Sequence, residues 1–366
     1  MGHDRTDAEL TQFKPGRTDA EDDNSGRRRP STIIDVANTA GVAIGTVSRY
    51  LNGLSVRPGN RDLIETAIQR LGYRRNALAA AMKSDLTNTV GFMVPTLSEF
   101  HSSMLEQLSR RLRTAGRALL AYCHNDERAS IIDALDFFAA HRVDCLVMDG
   151  HEEAAEGVRE LLLGGTPVIF YDNDVPGLPV DRVLIENRAA SARAVGHLLD
   201  IGHTRIAVLA GSARNSAGRD RLEGYMQAMR DRDVAIVPEY VIDADWTESR
   251  GYAGMLHLLS LEHPPTAVFT CNYNMAVGAL ALLKEHRYRI PDDISLVSFD
   301  DVPLFSLHDA GITAVAQPID KIAETITGLI TSRLSEERTW HAPHTIVLGC
   351  DIVLRGSTRK PIEPQS

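Results

Sequence analysis

The residues best suited to chemistry in this 366-residue chain lie between Thr32 and Leu51, in TIIDVANTAGVAIGTVSRYL. Thr32 can accept from the free N–H groups of a first helical turn, and Asp35 three positions on completes a capping-box pattern. Ile33, Val36 and Ala37 fall at i, i+3 and i+4, which makes one buried face. Gly41 supplies the permissive backbone of a tight turn. Val42 and Val47 then point inward, leaving Ile44, Gly45, Thr46, Ser48 and Arg49 on or near the outer face of a second helix. Hydroxyls, a guanidinium and an apolar tip on one exposed helix are groups that read base edges in the DNA major groove. A generic αα-hairpin shares the same outline.

Other chemistries find little support. The chain has no nucleophile elbow, P-loop, dinucleotide fingerprint or His-Glu-x-x-His pattern, so no enzyme is expected. His341, His344 and Cys350 could be drawn as a metal site, but Pro343 interrupts them, and no metal or cofactor is expected. Cys123, Cys145, Cys271 and Cys350 lie far apart without paired spacing, which suits a reducing cytoplasm. No apolar run nears the ~18 residues of a membrane span, and the polar N-terminus is no secretory signal. The formal net charge of −10 argues against DNA only until it is divided. Between Gly26 and Ser84 ten Arg and Lys residues face only Asp35, Asp62 and Glu65, so a cationic segment precedes an anionic remainder.

The surrounding elements must present these groups. Residues 1–29 read as a disordered tail ending in a basic arm, Gly26-Arg27-Arg28-Arg29, which either follows DNA or is a solvated charge run. Pro58 opens a third helix with Leu63, Ala67, Ile68 and Leu71 as its inward stripe, and Gly72 closes it. Asn76 can cap a short helix through Lys83 that is too short to persist alone in water; a flexible linker is the alternative. From Val90 the pattern alternates strand and helix. Strands are expected at Val90–Pro95, Ala118–Tyr122, Cys145–Met148, Val168–Tyr171, Arg182–Ile185, Arg205–Leu209, Ala267–Thr270 and Ile294–Phe299, with a first helix from about Ser102 to Ala115. Two such series mean two doubly wound parallel lobes, with ligands at the carboxyl ends of their strands.

From Thr32 to Asn52 the chain resembles the DNA-binding module of the lactose/galactose repressor family at nearly every fixed position of T-x-x-D-V-A-x-x-A-G-V-S-x-x-T-V-S-R-x-L-N. The resemblance continues through Leu71-Gly72-Tyr73, Asn76-Ala77-Leu78-Ala79, Gly202-His203-Thr204-Arg205, Arg221-Leu222-Glu223-Gly224, Phe299-Asp300-Asp301 and Arg355-Gly356-Ser357-Thr358. It implies an all-α helix-turn-helix head with a hinge helix (residues 30–84), then an α/β two-lobed, periplasmic-binding-protein-like effector and dimerisation domain (residues 85–366). Lobe crossovers are expected near Asn187, Pro318 and Leu348. The implied DNA contacts are Ile44, Thr46, Ser48, Arg49, Asn52 and Arg57 in the head, and Asn76, Ala79 and Met82 in the hinge, with Met82 as the minor-groove wedge. The implied effector contacts are Phe100 and His101 in the loop after the first strand, Arg221, Trp246, Asn272, Tyr273 and Asp300; a loop-capping role is the alternative for Asp300.

Departures qualify this. Ala43 replaces the usual cap serine, Gly45 weakens the recognition helix, Arg57 replaces a usual serine, and Tyr273 replaces an acidic residue. The resulting expectation is a cytoplasmic, homodimeric transcription regulator, a repressor. It would bind a pseudo-palindromic operator in double-stranded DNA under the control of a small-molecule effector, a sugar or sugar derivative. The alternative is a cytoplasmic sugar receptor without a gene-regulatory role, favoured by Ala43 and Gly45. No tetramerising heptad follows Thr358, which points to a dimer.

Overall fold

The computed structural model describes residues 31–51, 53–74, 86–335 and 342–361. The basic arm, Asn52, the hinge residues Asn76, Ala79 and Met82, and His341 lie outside the described residues. The chain divides into two compact units, Met1–Ala80 and Ala81–Ser366.

In the first unit, α1 (Ile33–Ala40), α2 (Ile44–Leu51) and α3 (Pro58–Leu71) enclose a core of six buried side chains: Val36, Ala37, Ala40, Val47, Ile64 and Ala67. The capping box forms: the Asp35 backbone N–H donates to Thr32 Oγ1 at 3.3 Å, and the Thr32 N–H donates to Asp35 Oδ2 at 2.7 Å. Gly41 ends α1 at φ 64°, a conformation that costs a Cβ-bearing residue ~1 kcal/mol or more. Ala67, Ile68 and Leu71 of the expected α3 stripe pack inward, but its first position does not. Leu63 is 51% exposed and Ile64 takes the inward place, because Ile64, Ala67, Ile68 and Leu71 share one face at i, i+3, i+4 and i+7. Tyr50 donates to Glu65 Oε1 at 2.8 Å and Arg61 Nε to the same oxygen at 2.9 Å, tying α2 to α3.

The second unit opens with β1 (Thr89–Val94), α4 (Glu99–Thr114), β2 (Ala118–Cys123), α5 (Arg128–Ala140), β3 (Cys145–Asp149), α6 (Ala155–Leu163), β4 (Val168–Tyr171) and β5 (Asp181–Ile185). After α7 (Asn187–Asp200) come β6 (Ile206–Ala210), α8 (Ser216–Asp231), β7 (Val241–Asp243), α9 (Glu248–Leu259), β8 (Ala267–Thr270), α10 (Tyr273–Glu285), β9 (Ser295–Phe299), α11 (Pro303–Leu307) and β10 (Thr313–Ala316). The chain closes with α12 (Ile319–Arg333), β11 (Thr345–Leu348) and β12 (Asp351–Val353). Two six-stranded sheets result, ordered β11-β5-β4-β3-β1-β2 and β12-β10-β9-β8-β6-β7. All pairings are parallel except β10 with β12.

The chain passes between lobes before α7, before α12 and between β11 and β12, where the crossovers were expected. Arg333 on α12 forms a two-pronged bond to Asp181 on β5, with both distances 2.7 Å, which fixes the returning helix on the first lobe. The inner strands are almost wholly buried and read as apolar runs, whereas β7, β11 and β12 are short edge strands. These edge strands and β10 were not anticipated from sequence. One boundary matters for the site: α4 begins at Glu99, because Ser98 caps it by accepting from the His101 N–H at 3.3 Å. Phe100 and His101 therefore lie in the first turn of a helix and not in a loop.

Candidate functional site

In the head, α2 presents its outer face to solvent. Ile44 is 45% exposed, Arg49 is exposed, and Thr46 and Ser48 are half-buried between them. Despite Ala43, the helix starts cleanly: the Ala43 carbonyl accepts from the Thr46 and Val47 N–H groups at 2.8 and 3.3 Å. Arg49 Nη2 has a long 3.4 Å bond to the Ser55 carbonyl, so its guanidinium is held beside the turn and can readily exchange that partner. Arg57 sits exposed at the start of α3 without capping it. Glu65 is occupied by Arg61 and Tyr50, and the Arg61 bond holds its carboxyl below the usual range. Little free negative charge therefore opposes the arginines on this surface.

In the body, the carboxyl ends of both sheets face a cavity of about 810 Å³. Every sequence-predicted effector residue lines it: Phe100, His101, Arg221, Trp246, Asn272, Tyr273 and Asp300. Arg221 is only 3% exposed. Its Nε donates to Asn187 Oδ1 at 2.8 Å and Nη1 to the Cys271 carbonyl at 2.7 Å. Its guanidinium carbon stacks 3.7 Å from the Phe299 ring centre and 5.5 Å from that of Trp246. Trp246 is itself locked: Nε1 donates to Asn215 Oδ1 at 3.0 Å, and a Cβ on Gly211 would lie 2.2 Å from its ring. Only glycine at position 211 leaves the indole its place.

Asn272 spends its amide within the protein, capping α10 through Met275 N–H (2.9 Å) and donating to the Trp246 carbonyl at 3.1 Å. It positions the indole and leaves little free for a ligand. Asp300, at φ 71°, accepts from Gln317 Nε2 at 2.6 Å and from the Tyr273 N–H at 3.3 Å. Asp301 turns the other way into a bidentate pair with Arg355 at 2.7 and 3.0 Å. Tyr273, where the resembling family has an acid, accepts from the Glu99 N–H at 3.0 Å and so bridges the two lobes at the cleft rim. His101 is 8% exposed; Nδ1 meets Ser98 Oγ at 2.8 Å, Nε2 has no partner, and burial holds its pKa below the ordinary histidine value.

Of the wall contributed by the first lobe, the sequence pointed only to Phe100 and His101. Asp149 and Asp172 stand at the ends of β3 and β4, as Asp300 stands at the end of β9. That shared pattern, an apolar strand closed by Asp, was the available signal. The Asp126 N–H donates to His124 Nδ1 at 3.1 Å, which leaves Nε2 as the donor towards Asp149 at 3.5 Å. His151 is pushed up in pKa by its hydrogen bond to Asp126.

Burial pushes Asp172 up to about 6, beyond what Arg221 can offset. A carboxyl whose pKa rises on folding binds its proton more tightly in the native state. The stability it confers is greatest below its unfolded value of 3.8 and declines as pH rises through about 6. Asp172→Asn is therefore expected to stabilise the chain by up to about 3 kcal/mol near pH 8 and by almost nothing near pH 4. Denaturant titrations at both pH values check this; equal midpoints for variant and wild type near pH 8 would contradict it.

Among the described residues no group of three His, Cys, Asp or Glu side chains could hold a metal ion, and no helix is long and apolar enough to cross a membrane. Residues 32–76 match the family described as bacterial regulatory proteins, lacI family, and residues 195–358 match a periplasmic binding protein-like domain. The HTH-type transcriptional repressor CytR of Escherichia coli is 29% identical over 335 residues, which cover 90% of this chain and 96% of that protein. The transcriptional regulator CelR–cellobiose complex matches with a TM-score of 0.68 at 27% identity, over 90% of this chain and 100% of that one. The Lac repressor dimer bound to operator and the anti-inducer ONPF matches with a TM-score of 0.80 at 24% identity, over the same shares. Its helix-turn-helix head carries the match to the lacI family of bacterial regulatory proteins and its two-lobed body the match to a periplasmic binding protein-like domain, and the chain is a transcription regulator similar to these repressors.

Proposed function

We propose that the chain works in the cytoplasm as a homodimeric repressor, without catalysis, whose grip on a pseudo-palindromic operator is set by a carbohydrate-like effector in the interlobe cleft. The observation that carries this reading is the pairing of an exposed α2 face with a large, polar, aromatic-floored cleft in one chain. Ile44, Thr46, Ser48 and Arg49 would meet base edges, while Asn52 and Arg57 would meet phosphates. Residues 30–84 would form the DNA-binding region, with Asn76, Ala79 and Met82 at the operator centre, and residues 85–366 the effector and dimerisation domain. Trp246 offers a flat face to a sugar ring, and the solved CelR relative holds cellobiose. Lobe closure on effector would alter the spacing of paired hinges, a coupling between two distant sites. The Tyr273–Glu99 bridge is one contact that such a movement must make or break.

Random-sequence selection with the full chain tests the reading. It should return an inverted repeat, bound by a species that sediments as a dimer. A monomer, or a selection without a symmetric consensus, would instead favour the sugar receptor that Ala43 and Gly45 suggest.

A further inference from the structure

The chemistry of the cleft floor narrows the effector further than a sugar-like outline does. Resting on the reading of this cleft as the effector site, we propose that the effector is an amino sugar, or a polyhydroxylated amine of similar size, whose ammonium is taken by Asp172.

Eight carboxylates and three guanidiniums line the cavity, and of the guanidiniums only Arg221 is buried. Arg221 lies 3.8 Å from Asp172 and 4.0 Å from Asp300, with Nε and Nη1 bonded to Asn187 and Cys271. Arg219 Nη1 is turned onto the carbonyls of Ala213 and Arg214 at 2.9 and 3.0 Å, and Arg214 Nε points to Ser212 at 3.4 Å. An anionic ligand on the cleft floor would approach Asp149, Asp172 and Asp300 together, while Arg214 and Arg219, exposed and bonded only to neutral oxygens, keep their charge on the solvent side.

The unpaired atoms point the same way. Asp172 Oδ1 and Gln317 Oε1 are buried acceptors without a hydrogen bond in the cavity lining. Such acceptors cost free energy until a donor arrives. Hydroxyls could supply donors but would leave the surplus negative charge in place. An ammonium supplies up to three donors and the missing charge at once. Burial and the neighbouring carboxylates already raise the pKa of Asp172 in the face of Arg221, as expected where negative charge lacks a counterpart. The cavity has room for a disaccharide-sized ligand with bridging waters.

The test uses the full chain, calorimetric titration and three matched sets. These are glucosamine, galactosamine and the fully deacetylated chitin disaccharide; their neutral parents glucose, galactose and cellobiose; and the uronic acids of the same skeletons. At least one amine should bind about tenfold or more tighter than its neutral parent, and its acid counterpart should be weaker still. In Asp172→Asn the amine and its parent should converge to within about threefold, with the thermal transition of the protein retained. A neutral or acidic member binding as tightly as its amine would overturn the proposal. So would an amine preference that survives Asp172→Asn, or a failure of all three amines to bind. Operator selection by the full chain, run with and without these sugars, reads the paired head independently of these affinities, so the regulator reading stands or falls separately.

Discussion

Arg49→Ala is expected to weaken binding to the selected operator by about 2–6 kcal/mol, roughly 30-fold to more than 10,000-fold. The estimate takes ~1–3 kcal/mol for one bidentate guanine contact and counts it in both half-sites of a dimer. The side chain is exposed, and its single long bond to the Ser55 carbonyl is cheaply given up. Affinity for a scrambled duplex should fall much less, because one lost cation per head removes only part of the phosphate attraction. Anisotropy titrations on both duplexes at one fixed salt concentration measure the difference. Equal losses on both would mean that Arg49 touches backbone and that base reading lies elsewhere on α2.

Ile64→Ala should cost ~2–5 kcal/mol, the usual range for emptying a buried branched site. Few small cores survive that loss: among its described residues the head buries six apolar side chains, and domains this small are marginal. The head should therefore unfold in the variant and DNA binding should disappear, while the body, with its own extensive core, keeps its transition and its ligand affinity. Leu63→Ala is the matched control. At 51% exposure it should change stability by no more than ~0.5 kcal/mol. A larger loss for Leu63→Ala than for Ile64→Ala would restore Leu63 as the inward residue first expected from sequence. Two-transition thermal unfolding of the full chain reads both variants.

How legible each part was depended on how local its cause is. Thr32, Asp35 and Gly41 set a cap and a turn through neighbours a few residues away, and that stretch was readable without tertiary information. The long inner strands were readable because burial on both faces leaves uninterrupted apolar runs. Edge strands such as β12, three residues long and partly exposed, carry no such mark. One position of the α3 stripe was misplaced because Leu63 and Ile64 are equally apolar, and only the packing of α1 against α3 chooses between them.

In the cleft, resemblance located Arg221 and Trp246 but could not reveal how fully each is already engaged, since Asn187, Asn215 and Cys271 are distant in sequence. It was silent on Asp149 and Asp172. Their role depends on three strand ends converging, and on which neighbouring charges remain unpaired.

To act as a regulator, this chain must discriminate DNA sequence through a paired head. The most direct measurement is the ratio of affinities for the selected inverted repeat and a scrambled duplex near physiological salt, repeated with one half-site erased. A paired head should give a ratio of about 1,000 or more that collapses when either half-site is lost. A ratio near one, or one unchanged by erasing a half-site, would contradict it.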